Sequence, residues 1–119
     1  MYGVLRLVFL HPYGIIINIK ELDVSKVIQV VVYKSVNDPE KLAAYAVLAR
    51  PAMEKAGAKF IARGVPIAVK EHGEAVRTIV IEWESMEAAE KGYNSPDYQN
   101  ALKALDNGAK RAFMYLDAD

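Results

Sequence analysis

Arg63 is the residue of this sequence whose type and surroundings best suit the binding of an anion. It lies within a mostly apolar stretch, KFIARGVPIAV, and Gly64 follows it directly. A guanidinium group can hold a carboxylate or an enolate oxygen through two parallel hydrogen bonds, and a glycine lets the backbone approach a ligand closely. A structural ion pair with Glu82 on a neighbouring strand is the alternative interpretation of Arg63.

The stretch GYNSPDYQ carries two tyrosines and a serine that could hydrogen-bond a small oxygenated ligand. The hydroxyl groups of Tyr93, Ser95 and Tyr98 are of the kind that orient ligands in otherwise apolar pockets. Ser95, however, precedes Pro96, and a serine before a proline is typical of a helix start. The cap is therefore the favoured interpretation of Ser95, whereas a role as core aromatics explains the two tyrosines about as well as ligand binding does.

Three further side chains complete the candidate site. Tyr45 in a predicted helix and Trp83 at the end of a predicted strand could wall a pocket, although packing is the favoured interpretation of both. Glu82 is a candidate general base if it is buried, because desolvation makes a carboxylate a stronger base. An ion pair with Arg63 would have the opposite effect and would make Glu82 a poor base.

The composition excludes several kinds of site. The chain has no cysteine, which excludes disulfides, thiolate catalysis and cysteine-bound metal ions. Its only histidines, His11 and His72, both lie in predicted turns, so we expect no metal site, no haem and no other cofactor. Lys+Arg and Asp+Glu both number 15, and this neutral balance argues against nucleic acid or an anionic membrane as a partner.

The apolar N-terminus does not have the pattern of a signal peptide. No basic residue precedes the apolar run, Arg6 lies within it, and no small-residue cleavage site follows. No apolar run approaches the roughly 20 residues that cross a bilayer. We therefore expect a cytoplasmic protein.

A β-hairpin explains the N-terminal segment better. Val4–Leu10 and Ile15–Ile19 are β-rich runs, and the sequence HPYG between them is typical of a turn because proline presets φ and glycine tolerates a positive φ. We therefore predict an N-terminal extension over residues 1–25, either this hairpin or a segment with little role. Residues 26–119 are predicted to form a single domain.

Capping residues and apolar spacing predict a βαββαβ order of elements in that domain. Asp38 and Pro39 are typical of a helix start, and Pro51 within this helix predicts a kink. The second helical segment is broken in two by GYNSPDYQ. The predicted elements are a strand Val27–Ser35, a helix from Pro39 that ends at Gly57, strands Ala58–Val69 and Val76–Trp83, a helix Met86–Tyr93, a helix from Pro96 that ends at Asp106–Gly108, and a strand Lys110–Leu116.

This order is that of the ferredoxin-like fold, an α+β architecture with an antiparallel sheet and its helices on one face. The strands are apolar on both faces, as Val31 and Val32 show. Because the helices cover only one face, we expect a second copy of the chain to cover the other, in a homodimer or higher homo-oligomer with two sheets packed face to face. Partly polar residues such as Gln29 and Tyr33 are expected inside that joint.

Two segments of the chain follow the pattern of a known family, namely NDPEKLAAYAVLARPAMEKAGAKFIARG and TIVIEWESMEAAEKGYNSPDYQNAL. They resemble the small bacterial proteins of the family domain of unknown function 1330, which belongs to the dimeric α/β-barrel superfamily. The likeness covers roughly residues 26 to 118. Gly64 and Val65 stand where members often have two glycines, and residues 1–25 are additional. The resemblance implies a dimeric α/β barrel with a small cavity between the sheet and the helices.

The wider superfamily includes cofactor-independent monooxygenases and isomerases, so the resemblance favours a binding or catalytic role only by analogy of fold. We expect a homodimer that binds a small aromatic or carboxylated metabolite, with Arg63 holding an oxyanion and Tyr93 or Tyr98 donating a hydrogen bond. Whether the chain is an enzyme stays open. The alternative is a non-catalytic protein whose N-terminal hairpin mediates oligomerisation or binds another partner.

Overall fold

Four short strands near the N-terminus pair in two antiparallel couples. The computed structural model describes residues 4–5, 8–10, 16–18, 22–23 and 25–119. The first four strands are β1 (Val4–Leu5), β2 (Val8–Leu10), β3 (Ile16–Asn18) and β4 (Leu22–Asp23). Because β2 pairs with β3 and β1 with β4, the predicted hairpin is confirmed, while its predicted turn at residues 11–14 lies outside the described residues. The division of the chain after residue 25 stays a prediction.

The rest of the chain forms a four-stranded antiparallel sheet with three helices on one face. Its elements are β5 (Val27–Val36), α1 (Pro39–Lys55), β6 (Lys59–Gly64), β7 (Thr78–Trp83), α2 (Met86–Asn94), α3 (Pro96–Leu105) and β8 (Ala109–Asp117). The strand order β6-β7-β5-β8 places β6 and β8 at the edges of the sheet. The predicted α+β, ferredoxin-like architecture is confirmed. In the part of the chain that the structure describes, no helix is long and apolar enough to cross a membrane.

Local capping explains where α1 begins. The side chain of Asp38 accepts hydrogen bonds from the backbone N–H groups of Glu40 at 3.1 Å and Lys41 at 3.2 Å. Pro39 occupies the first turn, where its missing N–H removes no intrahelical hydrogen bond. Both features were readable from the sequence, and Pro51 lies inside α1 as predicted.

Ser95 ends α2 and begins α3. Its hydroxyl donates to the carbonyl oxygen of Gly92 at 2.8 Å and accepts from the backbone N–H of Tyr98 at 3.2 Å. One side chain therefore satisfies a free carbonyl at the end of one helix and a free N–H at the start of the next. The cap predicted at Ser95 is confirmed.

Strand β6 is shorter than predicted. The sequence predicts a strand over Ala58–Val69, but β6 ends at Gly64, and β7 begins at Thr78 instead of Val76. Gly64 has a φ of +139°, and open space surrounds the position of its missing Cβ, so backbone conformation and not close approach requires glycine here. The residues that follow have strand-like composition but no partner strand, and Ile67 is fully exposed.

Tyr33 and Gln29 lie on the helix-covered face of the sheet and not on the face for which they were predicted. Both residues are buried beneath the helices, with 5% and 1% of their surface exposed, and the expectation that they lie in a joint between two sheets is wrong. The indole N–H of Trp83 donates to the side-chain oxygen of Gln29 at 2.8 Å, which explains a buried amide in this core. Alternation along a strand separates two faces but does not tell which of them meets the helices.

The opposite face, which we call the outer face, carries mostly apolar side chains and no helix. In its centre Val30 of β5 lies opposite Val80 of β7 and Met114 of β8. Met114 and Leu116 are about half exposed. The outer face is therefore an apolar surface without a cover in the described part of the single chain.

Gly92 allows α2 to approach the ring of Trp83. A Cβ atom added at Gly92 would lie 2.8 Å from Cη2 of Trp83 and 3.1 Å from the Cβ of Ala56. Alanine normally stabilises a helix relative to glycine by about 1 kcal/mol, but overpacking of about 1–3 kcal/mol opposes this gain where the ring cannot move. Because Gln29 holds the indole, we expect Gly92→Ala to lower the free energy of unfolding by about 1 kcal/mol in a urea titration.

The exposed residue Asn94 provides the matched control in the same helix. Because Asn94 is exposed, Asn94→Ala should change the free energy of unfolding by less than about 0.5 kcal/mol. A Gly92→Ala protein that is more stable than the parent would show that the Trp83 ring moves aside.

Candidate ligand-binding cavity

A cavity of about 90 Å³ lies between α1 and the helix-covered face of the sheet. Its walls are largely aliphatic and aromatic, and we call it the arginine cavity because the charged groups among its lining residues are all arginines. These are Arg50, Arg63, Arg77 and Arg111. An apolar cavity with a few convergent charged groups is the usual form of a small-molecule site.

Strand pairing brings the arginines of distant segments together. Arg63 of β6 lies opposite Ile79 of β7, and Arg111 of β8 lies opposite Tyr33 of β5. Arg77 precedes β7, and its carbonyl oxygen accepts a hydrogen bond from the backbone N–H of Tyr33 at 3.0 Å. The three guanidinium groups therefore come from separate strands or strand ends around one cavity.

Aromatic rings hold Arg111 in place. Its guanidinium carbon lies 4.5 Å from the ring centre of Tyr45, 4.8 Å from that of Phe113 and 5.8 Å from that of Tyr33. Its Nη1 donates a hydrogen bond to the hydroxyl oxygen of Tyr45 at 2.8 Å. These contacts stabilise the positive charge of Arg111, which is partly withdrawn from water, and they fix the orientation of its guanidinium group.

The four arginines differ in their partners. Arg50 forms an ion pair with Glu54 at 3.6 Å and lies over the ring of Phe60. Arg77 lies over the ring of Tyr33, at 5.6 Å from its centre. No carboxylate among the described residues pairs with Arg63, Arg77 or Arg111, and none lines the cavity. Since an arginine side chain stays protonated in proteins, Arg63, Arg77 and Arg111 give the cavity a positive charge that no acidic residue of its lining balances.

Tyr98 lies behind Tyr45 and does not line the cavity. Its side chain is 1% exposed, and its hydroxyl oxygen is 2.7 Å from that of Tyr45. The two rings meet edge to face at a centre-to-centre distance of 6.0 Å. Burial, followed by the neighbouring Tyr45, raises the pKa of the Tyr98 phenol far above its ordinary value, so Tyr98 stays protonated.

The structure brings two of the predicted site residues to the arginine cavity, namely Arg63 and Tyr45. Tyr93 lines a larger open hollow next to it, of about 490 Å³, which we call the outer hollow. Phe113 and Arg111 line both spaces, so the two are neighbours. Trp83 and Ser95 line neither of them, since Trp83 is a core residue bonded to Gln29 and Ser95 is a helix cap.

Glu82 lies away from the cavity, on the outer face. It is opposite Lys59 in β6, whereas Arg63 is opposite Ile79, three residues along β7. Its carboxylate is 3.5 Å from the Nζ of Lys26. The ion pair between Arg63 and Glu82 that the sequence offered as an alternative is therefore wrong, because the two side chains belong to opposite faces of the sheet.

Sequence reasoning missed Tyr33, Arg77 and Arg111 as residues of the cavity. A signal for Arg111 was present, because it alternates with Phe113 and Tyr115 along β8, and a single cation in an aromatic alternation marks the face it belongs to. Arg77 has no comparable signal, since it lies just outside a strand.

Metal ligation has no support in the described residues. His72 is exposed in the connection between β6 and β7. Within the range that the structure describes, no three histidine, aspartate or glutamate side chains are grouped so that they could hold a metal ion.

The fold and the cavity define a ferredoxin-like α+β protein with a small, arginine-lined cavity between sheet and helix. The chain belongs to the family described as domain of unknown function (DUF1330), whose profile matches residues 28–118. The resemblance seen in the sequence is thereby confirmed. No curated protein matches the chain.

Several solved structures share this fold. A protein of unknown function from Rhodopseudomonas palustris has a TM-score of 0.66 and 16% identity, over 81% of this chain and 84% of that one. A dimeric ferredoxin-like protein of unknown function from Jannaschia sp. CCS1 has a TM-score of 0.60 and 15% identity, over 78% and 99%. SnoaB, a cofactor-independent oxygenase from Streptomyces nogalater, has a TM-score of 0.53 and 11% identity, over 80% and 94%. At such identities the likeness shows the fold alone.

Proposed function

We propose that the chain binds a small carboxylated metabolite, with its carboxylate in the arginine cavity. The observation that carries this proposal is the set of three arginines, Arg63, Arg77 and Arg111, that line one cavity without a described carboxylate partner. Guanidinium groups are hydrogen-bond donors only, and they match a carboxylate in charge and in geometry. Of the two classes that the sequence left open, a carboxylated or an aromatic ligand, the charge favours the first.

The size of the cavity limits which part of the ligand it takes. A closed apolar cavity of about 150 Å³ binds benzene, whereas the arginine cavity measures about 90 Å³. It therefore suits a carboxylate with one or two carbon atoms better than a whole ring. The outer hollow, of about 490 Å³, has room for an uncharged aromatic body attached to that carboxylate, because Tyr93, Phe113 and Tyr115 line it and its acidic residue, Glu90, disfavours a second negative charge.

Thermal unfolding with benzoate and benzamide tests this proposal. Benzoate should raise the melting temperature as its concentration increases, because a ligand that binds only the folded state stabilises it. Benzamide has nearly the same shape but no charge, and it should leave the melting temperature unchanged. Equal effects of the two compounds, or no effect of either, would contradict a carboxylate site.

We propose further that two copies of the chain pack through their outer faces. The support is the apolar centre of that face around Val30, Val80 and Met114, which nothing in the described part of one chain covers. The similar protein from Jannaschia sp. CCS1, which is described as dimeric, supports a dimer but does not indicate which face forms it. The alternative, assembly through the N-terminal hairpin, predicts that deletion of residues 1–25 changes the mass in solution.

An enzymatic use of the same cavity is the second candidate. Guanidinium groups placed to bind a carboxylate also stabilise the negative oxygen of an enolate, so they suit a cofactor-independent reaction that passes through an enolate. The observation that favours it is the Tyr45 hydroxyl beside Arg111, which puts a phenol next to the anion-binding groups.

A further inference from the structure

The proton of the Tyr98 hydroxyl group has a single hydrogen-bond acceptor in the described part of the chain. That acceptor is the hydroxyl of Tyr45 at 2.7 Å, and either oxygen could be the donor on distance alone. Tyr98 is 1% exposed, so water does not provide a ready alternative. The direction of this hydrogen bond is therefore decided by which proton would otherwise be left without an acceptor.

Burial favours Tyr98 as the donor. If Tyr45 donated, the proton of Tyr98 would have no acceptor among the described residues, and an unsatisfied buried donor is one of the rarest features of folded proteins. If Tyr98 donates, only a lone pair of its oxygen stays unused, which is tolerated far more often. The hydrogen bond thus runs from Tyr98 to the oxygen of Tyr45.

A second donor already occupies the same oxygen. Nη1 of Arg111 donates to the Tyr45 hydroxyl oxygen at 2.8 Å. Because Arg111 can only donate, the oxygen of Tyr45 accepts two hydrogen bonds and its own proton is left as a free donor. Tyr45 lines the arginine cavity, and no acidic residue lines it in the part of the chain that the structure describes.

We propose that the Tyr45 hydroxyl donates a hydrogen bond to the carboxylate bound in the arginine cavity and makes the site specific for anions over their neutral amides. This inference rests on the proposed function of the cavity and adds to it a residue that selects the ligand. The groups proposed to contact the carboxylate, namely Arg63, Arg77, Arg111 and Tyr45, then all act as donors. A neutral amide would place its N–H group against these donors. Neither the N–H group nor the donor that it faces would then have an acceptor, and buried donors without acceptors strongly disfavour binding.

Tyrosine-to-phenylalanine variants test the role of this proton, with benzoate as the probe. In calorimetry, Tyr45→Phe should raise the dissociation constant for benzoate about tenfold, since it removes a hydrogen bond to a charged acceptor. Tyr98→Phe should change that constant by less than about twofold, because Tyr45 keeps its proton and its bond from Arg111. The tyrosine absorption of the parent and of Tyr98→Phe should shift on benzoate binding, and the shift should be much smaller in Tyr45→Phe.

The double variant Tyr45→Phe/Tyr98→Phe separates binding from folding. Tyr45→Phe alone leaves the buried proton of the Tyr98 hydroxyl without an acceptor and lowers the resistance to urea. The double variant removes both hydroxyls and recovers part of that resistance. We expect the double variant to keep the tenfold loss of benzoate affinity. A Tyr45→Phe or double variant that binds benzoate as tightly as the parent overturns this inference but leaves the proposed carboxylate site intact. A parent protein that binds no benzoate overturns both.

Discussion

Replacing Arg111 by methionine should raise the dissociation constant for benzoate about a hundredfold, because each hydrogen bond from a charged donor contributes about 1.5–3 kcal/mol. Three aromatic rings and the hydroxyl group of Tyr45 hold the guanidinium of Arg111, which is only partly exposed. Neighbouring cations cannot easily take over its position. Methionine has a similar length and packs well against aromatic rings, so the fold should tolerate the change. Calorimetric titration, with circular dichroism to confirm folding, measures the effect.

Arg50→Met is the matched control for Arg111→Met. Arg50 also lines the cavity, but Glu54 pairs with it, so its removal should change the benzoate constant less than about threefold. Arg63→Met should have an intermediate effect, since Arg63 is exposed and more freely hydrated. Equal losses in all three variants would show that benzoate responds only to the general positive charge. An Arg111→Met protein with the affinity of the parent would place the carboxylate elsewhere.

A glutamate in the centre of the outer face should convert the proposed dimer into a monomer. Val30→Glu would bury a carboxylate without a partner between two apolar sheets, in both copies of a twofold arrangement. A penalty of about 4 kcal/mol raises the dissociation constant of the dimer about a thousandfold. Val30 faces water in a single chain, where glutamate is acceptable, so the fold should persist. Sedimentation velocity measures the mass across a concentration series.

Val47→Glu provides the control for this change. Val47 is an apolar residue of α1 that is 74% exposed, on the other side of the molecule from the outer face. The same charge there should leave the dimer intact. A Val30→Glu protein that stays dimeric would exclude the outer face as the interface, and dissociation of the Val47→Glu protein would point instead to the exposed side of α1.

The helix boundaries were predictable because the signals that set them are local. Asp38 and Ser95 cap their helices through hydrogen bonds to N–H groups two or three residues further along the chain. A single sequence contains both members of each such pair within one turn of helix. The starts of α1, α2 and α3 therefore match the prediction.

The end of β6 and the orientation of β5 were not predictable in this way. The exposed run after Gly64 has the composition of a strand, but a strand also needs a partner, and pairing depends on residues far away in sequence. Tyr33 was assigned to the wrong face for a related reason. A hydrophobic pattern on both faces leaves the choice between them to the packing of the helices.

The candidate site shows the same division between local and distant information. Arg63 stood out because it is the only charged side chain in the apolar run FIARGVPIAV. Its association with Arg77 and Arg111 depends on the order β6-β7-β5-β8, which places three segments around one cavity. The order of elements gave the fold class, but it did not give the registers that decide which side chains meet.

The shared cap at Ser95 has a consequence for how the helical layer opens. Because one hydroxyl closes the end of α2 and the start of α3, neither helix can fray at this junction without exposing a free backbone group of the other. Tyr98, whose N–H takes part in the cap, is also the residue that contacts Tyr45. The two short helices should therefore exchange their amide protons as one cooperative unit. A ligand bound in the arginine cavity, in front of Tyr45, should slow the amide exchange of both helices together.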